Sequence, residues 1–114
     1  MEQKEKELSR EVVLELSLDK VDVITSEMLE GYTSIGTGAF RKCIYLTSIT
    51  LPNSITKIGE HAFFGCHHLT TINIPNSVTN IWDGAFYNCS SLRTVNLPNN
   101  MTSIGECAFS YVVI

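Results

Sequence analysis

The chain has 114 residues, 44% of them apolar, and a formal net charge of −4. That length suits one domain with enough apolar material for a core. No apolar run approaches the roughly 20 residues of a membrane helix, the start MEQKEKELSR lacks the apolar stretch of a secretory signal, and the negative balance argues against nucleic acid as a direct ligand, since phosphate recognition needs a surplus of Lys and Arg.

The segment from Met1 to Gly31 stands apart in charge. Residues 1–30 hold nine acids and four bases; residues 31–114 hold three acids and four bases. Glu2 to Arg10 reads as helical or frayed. Leu14, Leu16 and Leu18 alternate, as do Val21 and Val23, which predicts strand–turn–strand with Asp19-Lys20 at the bend. Ser26 to Glu30 reads as a short helix, with Thr25 as cap and Gly31 as stop. Residues 1–31 thus form an acidic N-terminal cap on the rest of the chain. A second reading makes the exposed acids, Glu5, Glu7 and Glu11, a docking element for a basic partner surface.

A repeat occupies residues 32–114. Ala-Phe pairs at Ala39-Phe40, Ala62-Phe63, Ala85-Phe86 and Ala108-Phe109 recur with one constant 23-residue period. Residues 46–68 and 69–91 agree at 11 of 23 positions without a gap, and residues 46–68 and 92–114 at 10. A partial unit, Tyr32 to Tyr45, precedes these three. Within each unit Ile49-Thr50-Leu51 and its equivalents alternate and are rich in β-branched residues, which predicts a short strand. Pro52, Pro75 and Pro98 end the strands, lacking a ladder donor, and Asn53, Asn76 and Asn99 follow as turn formers. Ile55 to Gly59 predicts a second short extended arm, and Glu60 to Gly65 one turn of helix or 3-10 helix. A 23-residue coil is too short for two helices, leaving a parallel sheet with one strand per coil.

The pattern Leu-x-x-Ile-x-Leu-Pro-x-x-Ile-x-x-Ile-x-x-x-Ala-Phe-x-x-Cys resembles the BspA-type (treponemal-type) leucine-rich repeat family over residues 32–114. Trp82 departs from it where Gly59 and Gly105 stand, as do Asn100 in place of Ser and Val112 in place of Cys. The resemblance implies a right-handed solenoid with a parallel β-sheet on its concave side. It implies no catalytic residues, and a role in binding partner proteins, often at bacterial or protist surfaces.

Stacked coils place equivalent side chains roughly 4.8 Å apart. Phe40, Phe63, Phe86 and Phe109 are therefore expected as one aromatic column. Cys43, Cys66 and Cys89 are expected as buried free thiols in a reducing compartment. Cys107 lies outside that column, where Gly38, His61 and Gly84 stand in the other units. His61, Cys66, His67 and His68 are the only metal-like grouping, but Cys66 is accounted for by the thiol column, so no metal and no cofactor is expected. Glu60, Asp83 and Glu106 share one repeat position and form an acidic ladder, and no catalytic constellation is present.

The candidate partner-binding residues lie on the concave strands: Ser48 and Thr50, Thr71 and Asn73, Thr94 and Asn96, with Arg93 as the one long charged side chain. The bland alternative is a polar ladder that solubilises the sheet. Trp82, with Tyr87 and Phe64 nearby, offers a rival surface, unless Trp82 folds back over the coil edge. The last coil is expected to expose Leu92, Val95, Leu97, Ile104 and Phe109, and a two-fold homodimer through that coil would cover them; the alternative is self-capping by Tyr111 to Ile114.

The leading expectation is a non-enzymatic protein-interaction module with a protein partner and no membrane insertion. One alternative is a small intracellular inhibitor, such as an anti-CRISPR-like anti-defence protein, acting on a nucleic-acid enzyme through the acidic segment. Another is a surface adhesin fragment or structural assembly unit. Localisation is cytoplasmic if Met1 is native, and cell-surface or secreted if the chain is a fragment.

Overall fold

The structure, a computed structural model, describes residues 4–112. Strands β1 (Glu7–Leu8), β3 (Ser34–Ile35), β5 (Lys57–Ile58), β7 (Asn80–Ile81) and β9 (Ser103–Ile104) form one sheet. Strands β2 (Val23–Ile24), β4 (Ser48–Thr50), β6 (Thr71–Asn73) and β8 (Thr94–Asn96) form the other. Every pairing is parallel. From β3 and β4 onward the partners are one repeat apart, as in Ile49↔Ile72↔Val95 and Ile35↔Ile58↔Ile81↔Ile104. The result is a right-handed leucine-rich repeat solenoid, with β2, β4, β6 and β8 on its concave side and the shorter arm strands opposite.

The core is one cluster built from several columns of equivalent side chains, closed at the N-terminal end by Leu8, Val13 and Leu18. Phe40, Phe63, Phe86 and Phe109 stack with ring centroids 5.2, 5.1 and 5.1 Å apart. The first three are fully buried, and so are Ala39, Ala62 and Ala85 beside them. Cys43, Cys66 and Cys89 are buried free thiols, as expected, and Cys107 is exposed. Cys66 Sγ donates to the carbonyl of Phe40, and Cys89 Sγ to that of Phe63, each at 3.0 Å. Two threonine ladders join the coils at the strand entrances. Thr56, Thr79 and Thr102 hydroxyls donate to the carbonyls of Thr33, Thr56 and Thr79 (3.3, 3.4 and 2.8 Å). Thr47 and Thr70 donate to Asp22 and Thr47 (2.9 and 3.1 Å).

The loop before each buried Phe is a chain of i→i+3 turns, the 3-10 bonding pattern, with amides of Ala62, Phe64 and Cys66 donating to carbonyls of Gly59, His61 and Phe63. It does not continue as a helix because two residues per coil are left-handed. The first position is Gly38, His61, Gly84 and Cys107 (φ 61, 54, 61 and 56°). The second is Lys42, Gly65, Asn88 and Tyr111 (φ 55, 70, 62 and 62°). Cys107 therefore replaces a glycine at a site that favours one.

These loops bond to one another in one direction only. Amides of Gly38, Phe40 and Lys42 donate to carbonyls of Glu60, Ala62 and Phe64 (2.9, 2.7 and 2.7 Å). Those of His61, Phe63 and Gly65 donate to Asp83, Ala85 and Tyr87, and those of Gly84, Phe86 and Asn88 to Glu106, Ala108 and Ser110. Among the described residues no loop of this type precedes the first one, and Arg10 takes over: its Nη1 donates to the carbonyls of Ala39 (3.3 Å) and Arg41 (3.0 Å).

The N-terminal segment differs from the expectation in two ways. Glu7–Leu8 is not helical but pairs with Ser34–Ile35; the helix is α1 (Arg10–Glu15), capped by the Ser9 side chain on the Val12 amide. Leu14, Leu16 and Leu18 do not form a strand. Leu14 and Leu16 are 47% and 53% exposed on and after α1, and Leu18 begins a 3-10 turn, Leu18–Lys20. A local capping signal and a good helix-forming run outweigh the alternation. Thr25 does cap a 3-10 helix, Ser26–Leu29, and Gly31 follows at φ 89°. Glu2, at the start of the expected helix, lies outside the described residues.

Candidate functional site

The structure brings the predicted concave residues into two columns. Ser48, Thr71 and Thr94 are one set of register partners, and Thr50, Asn73 and Asn96 the other. Buried Ile49 and Ile72 lie between them and hold the polar side chains outward. Val23 extends the first column at the N-terminal edge and is exposed. Arg93 lies just before β8, at the ladder position held by Thr47 and Thr70. Its amide bonds to the Thr70 carbonyl (3.0 Å), and its side chain is exposed.

Three of these residues, Thr50, Asn73 and Asn96, also border a groove of about 620 Å³ along the ends of the concave strands. Pro52 and Pro75 form its wall, and Glu30 stands at its N-terminal end. Ser48, Thr71, Thr94 and Arg93 lie outside it. Asn53 and Asn76 line it as well, beyond the turn-forming role that the sequence assigns them. The Pro-Asn dipeptide at one repeat position was the available signal.

Trp82 and Tyr87 do not join. Tyr87 stacks on Phe64 (5.4 Å, 6° between planes) and meets Tyr111 edge-on, while His61 meets Phe64 edge-on. Trp82 is 51% exposed and borders a separate recess with Gly36, Gly59 and Glu60. The acids Glu5, Glu7 and Glu11 are all exposed. Glu5 and Glu7 share a shallow groove with Lys57, whereas Glu11 lies on α1. Between them Lys6 lies over the Tyr32 ring at 4.5 Å.

The histidines and Cys66 are not gathered. Cys66 is fully buried, and His61, His67 and His68 are exposed. Among the described residues no three His, Cys, Asp or Glu side chains are placed to share an ion. The neighbouring Cys89 thiol, and then burial, push the Cys66 thiol far above its ordinary range. Burial also raises Cys43, while the Arg10 guanidinium, 3.9 Å from its sulfur, draws it down.

The last coil departs in part from expectation. Leu92 is fully buried rather than exposed, because it points into its own coil's interior and belongs to the core cluster. Val95 and Phe109 are half-buried, and Leu97 and Ile104 are 44% and 46% exposed. In the expected capping tail Tyr111 is exposed and Val112 is half-buried against the core, while Val113 and Ile114 lie outside the described residues. No helix among the described residues is long and apolar enough to cross a membrane.

A family model described as a BspA type leucine rich repeat region, in six copies, matches residues 18–114. No curated protein matches the chain. A leucine-rich repeat protein from Bacteroides ovatus is 41% identical, with a TM-score of 0.69, over 71% of this chain and 21% of its own. A leucine-rich repeat protein of T. pallidum is 29% identical, with a TM-score of 0.65, over 80% of this chain and 55% of its own. A leucine rich cell surface protein from Faecalibacterium prausnitzii is 38% identical, with a TM-score of 0.64, over 78% of this chain and 24% of its own. The chain thus spans between about a fifth and about half of the length of these proteins.

Proposed function

The chain belongs to the BspA-type leucine-rich repeat family, and from that premise we propose that it is a non-enzymatic protein-interaction module whose concave sheet receives a partner protein. The observation that carries this reading is the pair of columns Ser48–Thr71–Thr94 and Thr50–Asn73–Asn96, with the Arg93 side chain at one end. They form a flat surface of short polar side chains on a rigid support, where little side-chain entropy is lost on binding. The neighbouring groove along Pro52 and Pro75 adds relief.

The N-terminal segment, residues 1–31, acts as the cap of the stack through α1 and Arg10. The exposed Glu5, Glu7 and Glu11 keep the acidic docking role, against a nucleic-acid enzyme, as a lesser reading. The likeness to a cell surface protein favours the surface or secreted location over the cytoplasmic one. A homodimer through the last coil is a second assembly reading, favoured by the exposure of Leu97, Ile104 and Tyr111.

The test is affinity capture with the wild type, Thr71→Glu and Arg93→Ala, with melting temperatures measured alongside. A partner retained by the wild type and lost by both variants, at unchanged melting temperature, supports the concave face. Equal retention by all three contradicts it. Sedimentation at micromolar concentration addresses the dimer, which predicts twice the chain mass.

A further inference from the structure

The recess beside Trp82 arises from a break in the repeat. Residues 36, 59, 82 and 105 share one position, and glycine stands at all but residue 82. The glycines are needed because each lies hard against the coil before it. A Cβ on Gly59 would lie 2.8 Å from the Ile35 carbonyl oxygen and 2.9 Å from Gly36. At Gly36 the Glu7 side chain covers the backbone, with its carboxyl carbon 2.9 Å from where a Cβ would be. Gly59 lines a recess of about 250 Å³ together with Glu7, Lys57, Glu60 and Trp82.

The chemistry of this recess is specific. An indole face attracts a cation through its quadrupole. Glu7 and Glu60 add two carboxylates against the single ammonium of Lys57. Among the described residues neither carboxylate pairs with Lys57, and Glu60 has only the His61 ring at 3.7 Å. The acidic ladder continues past Trp82 through Asp83 and Glu106. A planar cation that stacks on an indole and donates in plane to a carboxylate is a guanidinium. We infer that the Trp82 recess binds an arginine side chain of a protein segment, as a contact separate from the concave face.

Trp82 is the only tryptophan, so its fluorescence reports on this site alone. The probes are acetyl-Gly-Arg-Gly-amide and its citrulline analogue, which keeps the shape and loses the charge. The arginine peptide should shift Trp82 emission in a saturable way, and the citrulline peptide should bind at least about tenfold more weakly. Glu60→Gln should weaken the arginine peptide about threefold, and Lys57→Gln should strengthen it by a similar factor, as expected for a partly exposed charge pair. Trp82→Gly restores the glycine of the other coils and should keep the melting temperature. It should also abolish the chemical-shift change that the peptide causes at the Gly59 amide. Equal binding of both peptides, or weaker binding in Lys57→Gln, would overturn the proposal. So would an emission change produced by N-acetylglucosamine but not by the arginine peptide, which would mark a saccharide site. None of these readouts depends on a partner at the concave face, so the two readings fail separately.

Discussion

Phe63 lies face to face with Phe86, ring centroids 5.1 Å apart and planes 3° from parallel. Rings so nearly parallel at that separation are offset rather than eclipsed, the arrangement their quadrupoles favour. The 23-residue spacing of Ala-Phe makes the contact, and Phe40 and Phe109 continue it on either side. Phe63→Ala should cost about 3–5 kcal/mol, a large share of the roughly 5–15 kcal/mol of a typical domain. Phe109→Ala should cost less, since that ring is only half-buried. Urea titration of both variants gives the comparison, and equal losses would contradict the column account.

Arg10 gives the second prediction. Its guanidinium supplies, from a side chain, the donors that a preceding loop would supply from its backbone. Hydrogen bonds to a charged group contribute about 1.5–3 kcal/mol each, reduced here by partial exposure of the pair at Arg41. Arg10→Ala should therefore lower stability by about 2 kcal/mol and open the Tyr32–Tyr45 coil to hydrogen exchange first. Arg10→Lys should recover less than half, because an ammonium lacks the planar fork.

The left-handed positions give a third. Cys107 holds φ 56° where Gly38 and Gly84 hold 61°. A left-handed L-residue costs roughly 1–2 kcal/mol, offset in part by the greater chain entropy of glycine. Cys107→Gly should stabilise the protein by about 0.5–1 kcal/mol. Gly84→Ala should do the reverse more strongly, since its Cβ would run into the His61 ring. Thermal melts of both variants, under reducing conditions, test the pair.

Much of this was legible in the sequence because the repeat is nearly free of insertions from residue 32 onward. The strands Ser48–Thr50, Thr71–Asn73 and Thr94–Asn96, the phenylalanine column and the thiols all follow from one period. The N-terminal coil was not legible. Val23 pairs with Ser48 and Glu7 with Ser34, and both offsets are longer than one repeat, so this coil falls out of the period. Part of the extra length lies between Glu7 and Val23, around α1 and the turn at Leu18–Lys20, and part between Val23 and Ser34, around the 3-10 helix Ser26–Leu29. The Trp82 recess was also hidden, because it depends on the Glu7 side chain lying over Gly36, a contact that spans more than a full coil of sequence.

Stability should fall at alkaline pH. The Cys43 and Cys66 thiols are raised in the folded state, against about 8.5 when unfolded. A raised acid keeps its proton in the fold, so the stabilisation is complete below about pH 8.5 and is lost as pH rises toward the folded values. Each such thiol contributes a slope of about 1.4 kcal/mol per pH unit in that window. Denaturation between pH 8 and 10 should show the decline, and Cys66→Ala should flatten it by one proton's worth despite a lower starting stability.

The claim on which the functional account rests is that the partner meets the concave sheet, and photo-crosslinking tests it most directly. Benzoylphenylalanine would be placed at Asn73, in the centre of the concave sheet, or at Ser90, exposed on the turn after Cys89. The account predicts a partner adduct from position 73 and none from position 90, at unchanged melting temperature. An adduct from position 90 with none from position 73 would contradict it.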